Sequence, residues 1–234
     1  MKVIDKEFSG LTAIITGAGS GIGLEVAKGL NARGATVFGF DINEGEMASV
    51  ATFIKCDIGD AQSVTDAFAE FSKQSSQLDI LINNAGIGSL TTVEHETDEI
   101  WQKVLNVNVV GTARVSRAAI PLLRKSNSPA IVNTASIAAT DGIPNRAAYS
   151  ASKGAILALT LAMATDHLSD GIRVNAVNPA TADTPWVKRL LDQSADAKAA
   201  RVALEARQPM GRLVSPSEIA NAIIFLASPL QASI

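Results

Sequence analysis

Short, nearly unbroken apolar runs alternate along the chain with longer stretches whose apolar side chains recur every three to four residues. The runs Thr12–Thr16, Thr36–Phe40, Thr52–Cys56, Ile80–Asn83, Ala130–Asn133 and Arg173–Val177 predict strands buried on both faces, because a strand with one wet face would alternate instead. The stretches Gly21–Arg33, Ala61–Lys73, Glu99–Leu123, Ala147–Leu168 and Ser217–Ser228 predict helices. This alternation predicts an α/β fold with a doubly wound parallel sheet, helices on both faces and right-handed crossovers. No repeat, linker or low-complexity tract interrupts it, so residues 1–234 are read as one domain. The segment after Asp41 looks short for a helix before the third strand. The one long insertion spans about 182–211. It holds Pro185, Trp186 and Pro209 around a polar, alanine-rich middle (Asp192–Arg201), and such an excursion near the strand tips predicts a lid.

Composition narrows the picture. Apolar residues make up 47% and charged residues 18% of 234, enough to bury a sizeable core and to exclude disorder. The net charge is −3 with no basic run, so the footprint of a nucleic-acid binder is missing. Aromatics at 4% argue against stacking platforms for bases or sugars. Cys56 is the single cysteine and His95 and His167 lie far apart, which leaves no disulfide framework and no metal site, and fits a cytoplasmic protein. Met1–Glu7 has no apolar leader core, and no uncharged apolar stretch reaches membrane length, so no membrane association is expected.

The first strand runs into Thr16-Gly17-Ala18-Gly19-Ser20-Gly21-Ile22-Gly23, and a helix follows. Glycines let the backbone approach a pyrophosphate, and the N–H groups and dipole of the helix start stabilise its charge. The spacing departs from G-x-G-x-x-G, and a tight turn with close helix packing is the competing reading. With the strand on one side and the helix on the other, the domain reads as Rossmann-type and single-domain, dinucleotide-binding and catalytic at once. The second strand ends at Asp41. A carboxylate there accepts hydrogen bonds from ribose hydroxyls and repels a 2′-phosphate. Position 20 is Ser and no cation follows Asp41, so NAD is favoured over NADP; a solvated turn residue is the plainer alternative.

Five motifs in order, Thr16–Gly23, Asn83-Asn84-Ala85-Gly86, Ser136, Tyr149-Ser150-Ala151-Ser152-Lys153 and Asn178-Pro179, resemble the short-chain dehydrogenase/reductase family over nearly the whole chain. The resemblance implies that Tyr149 is the general acid/base, that Lys153 lowers its pKa and holds the nicotinamide ribose, and that Ser136 anchors the substrate oxygen. It makes Asn108 the support of a water on the proton relay, with Asn106 as its rival. It implies cofactor contact by Gly17, Ser20, Gly21, Ile22, Gly23, Asp41, Asp57, Asn83, Ala85, Gly86, Tyr149, Lys153, Pro179 and Thr184. Asp57 is equally readable as a helix cap. The spacing adds an independent argument: residues four apart share a helix face, so Lys153 can act on Tyr149. Lowering a tyrosine pKa by about 3 units requires roughly 4 kcal/mol of preferential phenolate stabilisation.

The implied activity is NAD(H)-dependent interconversion of a secondary alcohol and a ketone, on a sugar, polyol or hydroxy acid. Trp186, Lys188, Arg189 and Arg207 in the lid and His95, Asn145 and Arg146 near the catalytic edge are the candidate substrate contacts, since cations there could meet a carboxylate. The alternatives are a 3-oxoacyl-type ketone reductase, which Asp41 opposes, and a silent NAD-binding scaffold, which the relay residues oppose. The helix Ala147–Leu168 is small or apolar on most faces and should lie beside Glu99–Leu123. The resemblance implies a homo-oligomer, dimer or tetramer, through these two. Two departures stand out. Ala180 replaces the family's usual glycine, and the sequence stops at Ile234 before a seventh strand: either a tail follows that is not in it, or the strand is absent and one sheet edge is bare.

Overall fold

The computed structural model describes residues 6–192, 194 and 196–234. Met1–Asp5, and two positions of the lid's middle, therefore lie outside the described residues. The strands are β1 (Thr12–Thr16), β2 (Thr36–Asp41), β3 (Thr52–Lys55), β4 (Ile80–Asn83), β5 (Ala130–Thr134) and β6 (Arg173–Val177). They form one parallel sheet in the order β3-β2-β1-β4-β5-β6. β1 is followed in space by β2 on one side and β4 on the other. The winding reverses there, and a crevice opens at the carboxyl ends of β1 and β4. Between Asp41 and β3 the chain makes turns and no helix. Among the described residues the sheet ends at β6.

The helices are α1 (Gly21–Ala32), α2 (Ala61–Gln74), α3 (Asp98–Leu105), α4 (Thr112–Leu123), α5 (Ala147–Asp166), α6 (Pro185–Asp192), α7 (Ala197–Ala206) and α8 (Pro216–Ala227). The expected single helix over 99–123 is interrupted. A π turn at Asn106–Gly111 joins α3 to α4, and Thr112 Oγ1 donates to the Asn108 carbonyl at 2.7 Å. An extra residue in a helical turn swings the side chains that follow onto a new face, and such bulges gather at functional sites.

Alternation along each strand sends neighbours to opposite cores. Ile15, Ile80, Ile82 and Val132 pack under α1 and α8 with Leu24, Leu30, Ile223 and Ile224. Ile14, Leu81 and Ile131 face α2 and α4 with Phe38, Phe68, Phe71 and Val115. Phe38 and Phe71 meet edge to face with centroids 4.8 Å apart. Each such fully buried side chain contributes about 1.5–3 kcal/mol through removal from water. Near the carboxyl edge the second face turns polar. Asn83 Nδ2 donates to Ser116 Oγ (3.0 Å) and Asn133 Oδ1 (2.9 Å), and Asn133 Nδ2 donates to Thr160 Oγ1 (2.9 Å). This buried chain ties β4, β5, α4 and α5 at one level.

Helix α5 buries a single stripe, Ala148, Ser152, Ile156, Thr160 and Met163. Its far side is exposed, with Leu161 at 71% and Leu168, just past its end, at 77%. Sheet packing thus covers one face only, and other helices of the same chain do not cover the far side. α5 is also long and apolar enough to cross a membrane by length and composition. In this fold it packs on β5 and β6 and carries Lys153 inward. The insertion is built of α6 and α7, which share a small core of Val187, Leu191 and Leu213. It is tied to the end of β6 by Gln208, whose Nε2 donates to Thr181 Oγ1 at 3.2 Å, and by an Arg201–Asp183 ion pair at 2.7 Å.

Candidate active site

A cavity of about 780 Å³ opens at the carboxyl ends of β4, β5 and β6, under α6 and the end of α7. Among the residues lining it are Ile22, Gly86, Ser136, Tyr149, Lys153, Pro179 and Thr184. The chain delivers them from five separate segments, so the convergence is a product of the fold.

The glycine turn lies at one end of the crevice. Gly17 has φ 69°, a value that favours glycine. A Cβ on Gly23 would stand 2.1 Å from the Gly17 carbonyl oxygen, so no larger residue fits between turn and helix. Ser20 holds the cap position of α1 without bonding the helix through its side chain, and no acid lies in the first turn. The N–H groups of α1 thus present a positive end to the crevice. Gly21 borders Thr184, whose methyl would lie 3.4 Å from an added Cβ.

Asp41 sits at the tip of β2 beside this turn. Its Oδ2 accepts from the Gly19 N–H at 2.9 Å and its Oδ1 from the Asn43 N–H at 3.3 Å. The carboxylate therefore shapes the turn as well as charging the end of the crevice. Asp57 is exposed and closes its own turn, accepting from the Gly59 N–H at 2.8 Å. The cap of α2 is Asp60, which accepts from the Ser63 N–H at 2.9 Å, so the capping alternative belongs three residues later. Asn83 spends its amide on the buried network and does not line the cavity. Its neighbour Asn84, which sequence reasoning passed over, does the pinning. Asn84 Nδ2 donates to the carbonyls of Thr16 and Gly17, both at 3.2 Å. Thr16 Oγ1 accepts from the N–H groups of Asn84 and Ala85 at 3.0 and 3.1 Å. These bonds lock the two loops that flank the crevice.

The four relay candidates meet at the other end. Lys153 is buried, and its Nζ donates to the Thr134 carbonyl at 2.7 Å and stands 5.7 Å from the Tyr149 ring centroid. Burial with no anion nearby pulls its pKa down to about 8. Burial pushes the Tyr149 phenol above its ordinary value, while the Ser136 hydroxyl and then the Arg146 guanidinium act the other way. The resemblance gave Lys153 a share in lowering that pKa; in this structure its ammonium is held by the Thr134 carbonyl, near the Tyr149 ring. Asn108, in the π turn, is fully buried. Its Oδ1 accepts from the Ile87 N–H and its Nδ2 donates to the Ile87 carbonyl, both at 2.8 Å. Nδ2 also donates to Ser152 Oγ at 2.9 Å. A Cβ on Gly86 would lie 3.1 Å from Asn108 Oδ1 and 3.6 Å from Lys153 Nζ, which puts the asparagine beside the lysine. Asn106 points elsewhere, donating to the Gly59 carbonyl and accepting from Arg114.

One further group holds this end together. Buried Glu96, from the loop before α3, accepts from Ser89 Oγ at 3.1 Å and from the Ala148 N–H at 3.3 Å. It thereby caps α5, whose own cap residue, Arg146, makes no side-chain bond to the helix. Nothing in the local sequence around Glu96 marks it for that task. Of the other substrate-contact candidates, Arg146, Trp186 and Arg207 line the cavity, whereas His95 is exposed and pairs only loosely with Glu94, at 4.0 Å. Among the described residues no cluster of three or more potential metal ligands occurs.

Arranged this way, the site has a proton donor and acceptor (Tyr149), a hydroxyl beside it (Ser136) and a buried cation that can hold hydroxyl groups (Lys153). At the far end lies an anion-accepting helix start.

Known proteins are similar to this chain in sequence and in fold. The family model described as enoyl-(acyl carrier protein) reductase matches residues 17–234. Cis-4-hydroxycyclohexanecarboxylate dehydrogenase from Sinomonas cyclohexanicum is 38% identical, over 94% of this chain and 90% of that protein. A 3-oxoacyl-(acyl-carrier-protein) reductase from Vibrio harveyi is 33% identical, over 94% and 91%. The structure of aldohexose dehydrogenase from Thermoplasma acidophilum, in ligand-free form, superposes with a TM-score of 0.91 at 32% identity, covering 98% of this chain and 91% of that one.

Proposed function

Because the chain belongs to the short-chain dehydrogenase/reductase family of oxidoreductases, we propose that it is an NAD(H)-dependent enzyme that interconverts a secondary alcohol and a ketone on a small hydroxylated substrate. The observation that carries this reading is the meeting of Ser136, Tyr149 and Lys153 on the wall of one cavity, with Asn108 buried behind Gly86 next to them, at the opposite end from a glycine turn bordered by Asp41.

The residues present fit a dinucleotide. The start of α1 would hold the pyrophosphate, with the backbone approach made possible at Gly17, Gly21 and Gly23. Asp41 would accept the adenosine ribose hydroxyls and repel a 2′-phosphate. Ile22, Ala85, Gly86, Pro179 and Thr184 would border its inner half, and Lys153 would hold the second ribose. When bound, the nicotinamide accepts or donates the hydride at the reacting carbon.

The proton is the chain's own task. Tyr149 gives it to, or takes it from, the substrate oxygen, which the Ser136 hydroxyl orients. Stabilising the phenolate near neutral pH needs the pull of Ser136 and Arg146, already present, together with the Lys153 ammonium. Asn108 fixes the loop at Ile87 and, through Ser152, the first turn of α5, so Tyr149 and Lys153 keep their relation to Gly86. A single buried Cys56 thiol fits a reducing cytoplasm. Exposed Ile100, Val110, Leu161 and Leu168 on α3, the π turn, α5 and its end suit a dimer or tetramer.

Fluorescence titration with NADH and NADPH tests the cofactor reading. Tight NADH and weak NADPH binding support it, followed by NAD reduction with a panel of alcohols, sugars and hydroxy acids. Preference for NADPH would favour the 3-oxoacyl reductase reading, which the Vibrio relative supports. NADH binding without any turnover would favour a scaffold.

A further inference from the structure

Among the described residues, cations outnumber acids on the wall of the cavity, with Arg146, Lys153 and Arg207 against Asp141. Arg146 directly follows Asn145, whose φ of 58° marks a sharp backbone reversal before α5. Its guanidinium stands 5.2 Å from the Trp186 ring centroid and 5.8 Å from that of Tyr149. One nitrogen, Nη1, donates to the Ser89 carbonyl at 2.9 Å. That uses one of five N–H groups. Among the described residues Arg146 has no ion pair, and neither has Arg207, which lines the same cavity. Asp141 is the one acid on the wall, exposed and bonded to Thr140 Oγ1 at 2.9 Å.

A half-buried guanidinium without a counter-ion is unfavourable, and a second guanidinium near it makes matters worse. Burial, and then the Arg207 charge, pull the Arg146 pKa below the usual arginine value. The two ring contacts offset part of this, yet they leave the in-plane N–H groups unused. A planar fork shielded by Trp186 matches a carboxylate, which it can hold through two parallel bonds.

We propose that Arg146, backed by Arg207, binds a carboxylate on the substrate, so that the enzyme acts on a hydroxy acid and its oxo acid. This deepens the dehydrogenase reading and rests on it for the reacting carbon. Arg146 and Tyr149 are close enough that the carboxylate and the carbinol must lie within one small molecule. A neutral sugar or polyol leaves the pair of cations uncompensated, and that distinguishes the substrate class.

Binding is read first, since it does not depend on turnover. With NADH saturating, wild-type protein is titrated with butyrate and butyramide, and with the bulkier cyclohexanecarboxylate and its carboxamide. The carboxylate of at least one pair should bind on the order of 100-fold more tightly than its amide, and less so in high salt. Arg146→Gln should erase that preference, while Arg146→Lys, which keeps charge without the fork, should restore part of it. Turnover is read next, with hydroxy acids of graded length and the methyl ester of each. The acid should be preferred in kcat/KM, mainly through KM, and the preference should collapse in Arg146→Gln. Equal binding of carboxylate and amide overturns the anion site, even if neutral alcohols are oxidised. Preferred carboxylate binding without turnover of any compound keeps the anion site and overturns the dehydrogenase reading.

Discussion

Replacing Lys153 by methionine should make the chain more stable and less active at once. The Lys153 side chain is buried at 5% exposure, and its pKa falls from 10.5 to about 8 because burial penalises the ammonium. The sign follows from proton counts. Below pH 8 both folded and unfolded chains carry the proton, and the folded state bears the full penalty of a buried charge. Between pH 8 and 10.5 the folded chain has lost a proton that the unfolded chain keeps, so stability rises with pH. Above 10.5 the penalty is gone. That interval, at about 1.4 kcal/mol per pH unit, amounts to roughly 3 kcal/mol at neutral pH. Methionine has similar reach and no charge, but it forfeits the bond to the Thr134 carbonyl, worth about 1 kcal/mol. The expected net gain near pH 7, without cofactor, is therefore about 2 kcal/mol, or some 4–8 °C in Tm for a chain of this length. Urea unfolding of both proteins at pH 7 and pH 9.5 measures it. The advantage should shrink below about 1 kcal/mol at the higher pH. A variant no more stable than wild type at pH 7, or one whose advantage ignores pH, would refute the reasoning.

Tyr149→Phe should lower kcat by about 10²–10⁴ while NADH still binds, because it removes the acid/base and little else; steady-state rates with a fluorescence titration check this. Asp41→Ala should reduce the ratio of NADPH to NADH dissociation constants, and it also frees the Gly19 N–H; the titration with both cofactors reads the ratio, and an unchanged value would place the selectivity elsewhere. Asn133→Ala should cost about 2–3 kcal/mol in urea unfolding, because it removes two buried hydrogen bonds and leaves one of the two Asn83 amide N–H groups without an acceptor.

The strands were legible because each is a short apolar run between turns, and their observed limits shift by a residue at most. Five helical stretches were legible from their three-to-four-residue spacing, but α6 and α7, inside the segment read only as a lid, were not, and neither was the break in the third stretch. The π turn at Asn106–Gly111 leaves no trace in periodicity, since one extra residue in a turn keeps the chain helical on either side. The motif residues Tyr149, Lys153 and Ser136 were legible as a set, and the four-residue interval already placed two of them on one helix face. What stayed hidden were contacts between distant segments. Asn84 gripping Thr16 and Gly17 and Glu96 capping α5 both join residues far apart in sequence. Local composition around each is unremarkable, so no pattern along the chain could mark it.

By itself, then, the sequence determined the kind of fold and the cast of chemical groups, because both follow from local pattern: burial period, glycine in a turn, and acid or base at fixed spacing. The tertiary structure decided the electrostatics. Whether Lys153 faces Tyr149 or Thr134, and whether Arg146 meets a carboxylate within the chain or is left for one from outside, depends on side chains brought together across the sheet. Charge interactions fall with distance and grow with burial, and only the folded chain sets either quantity.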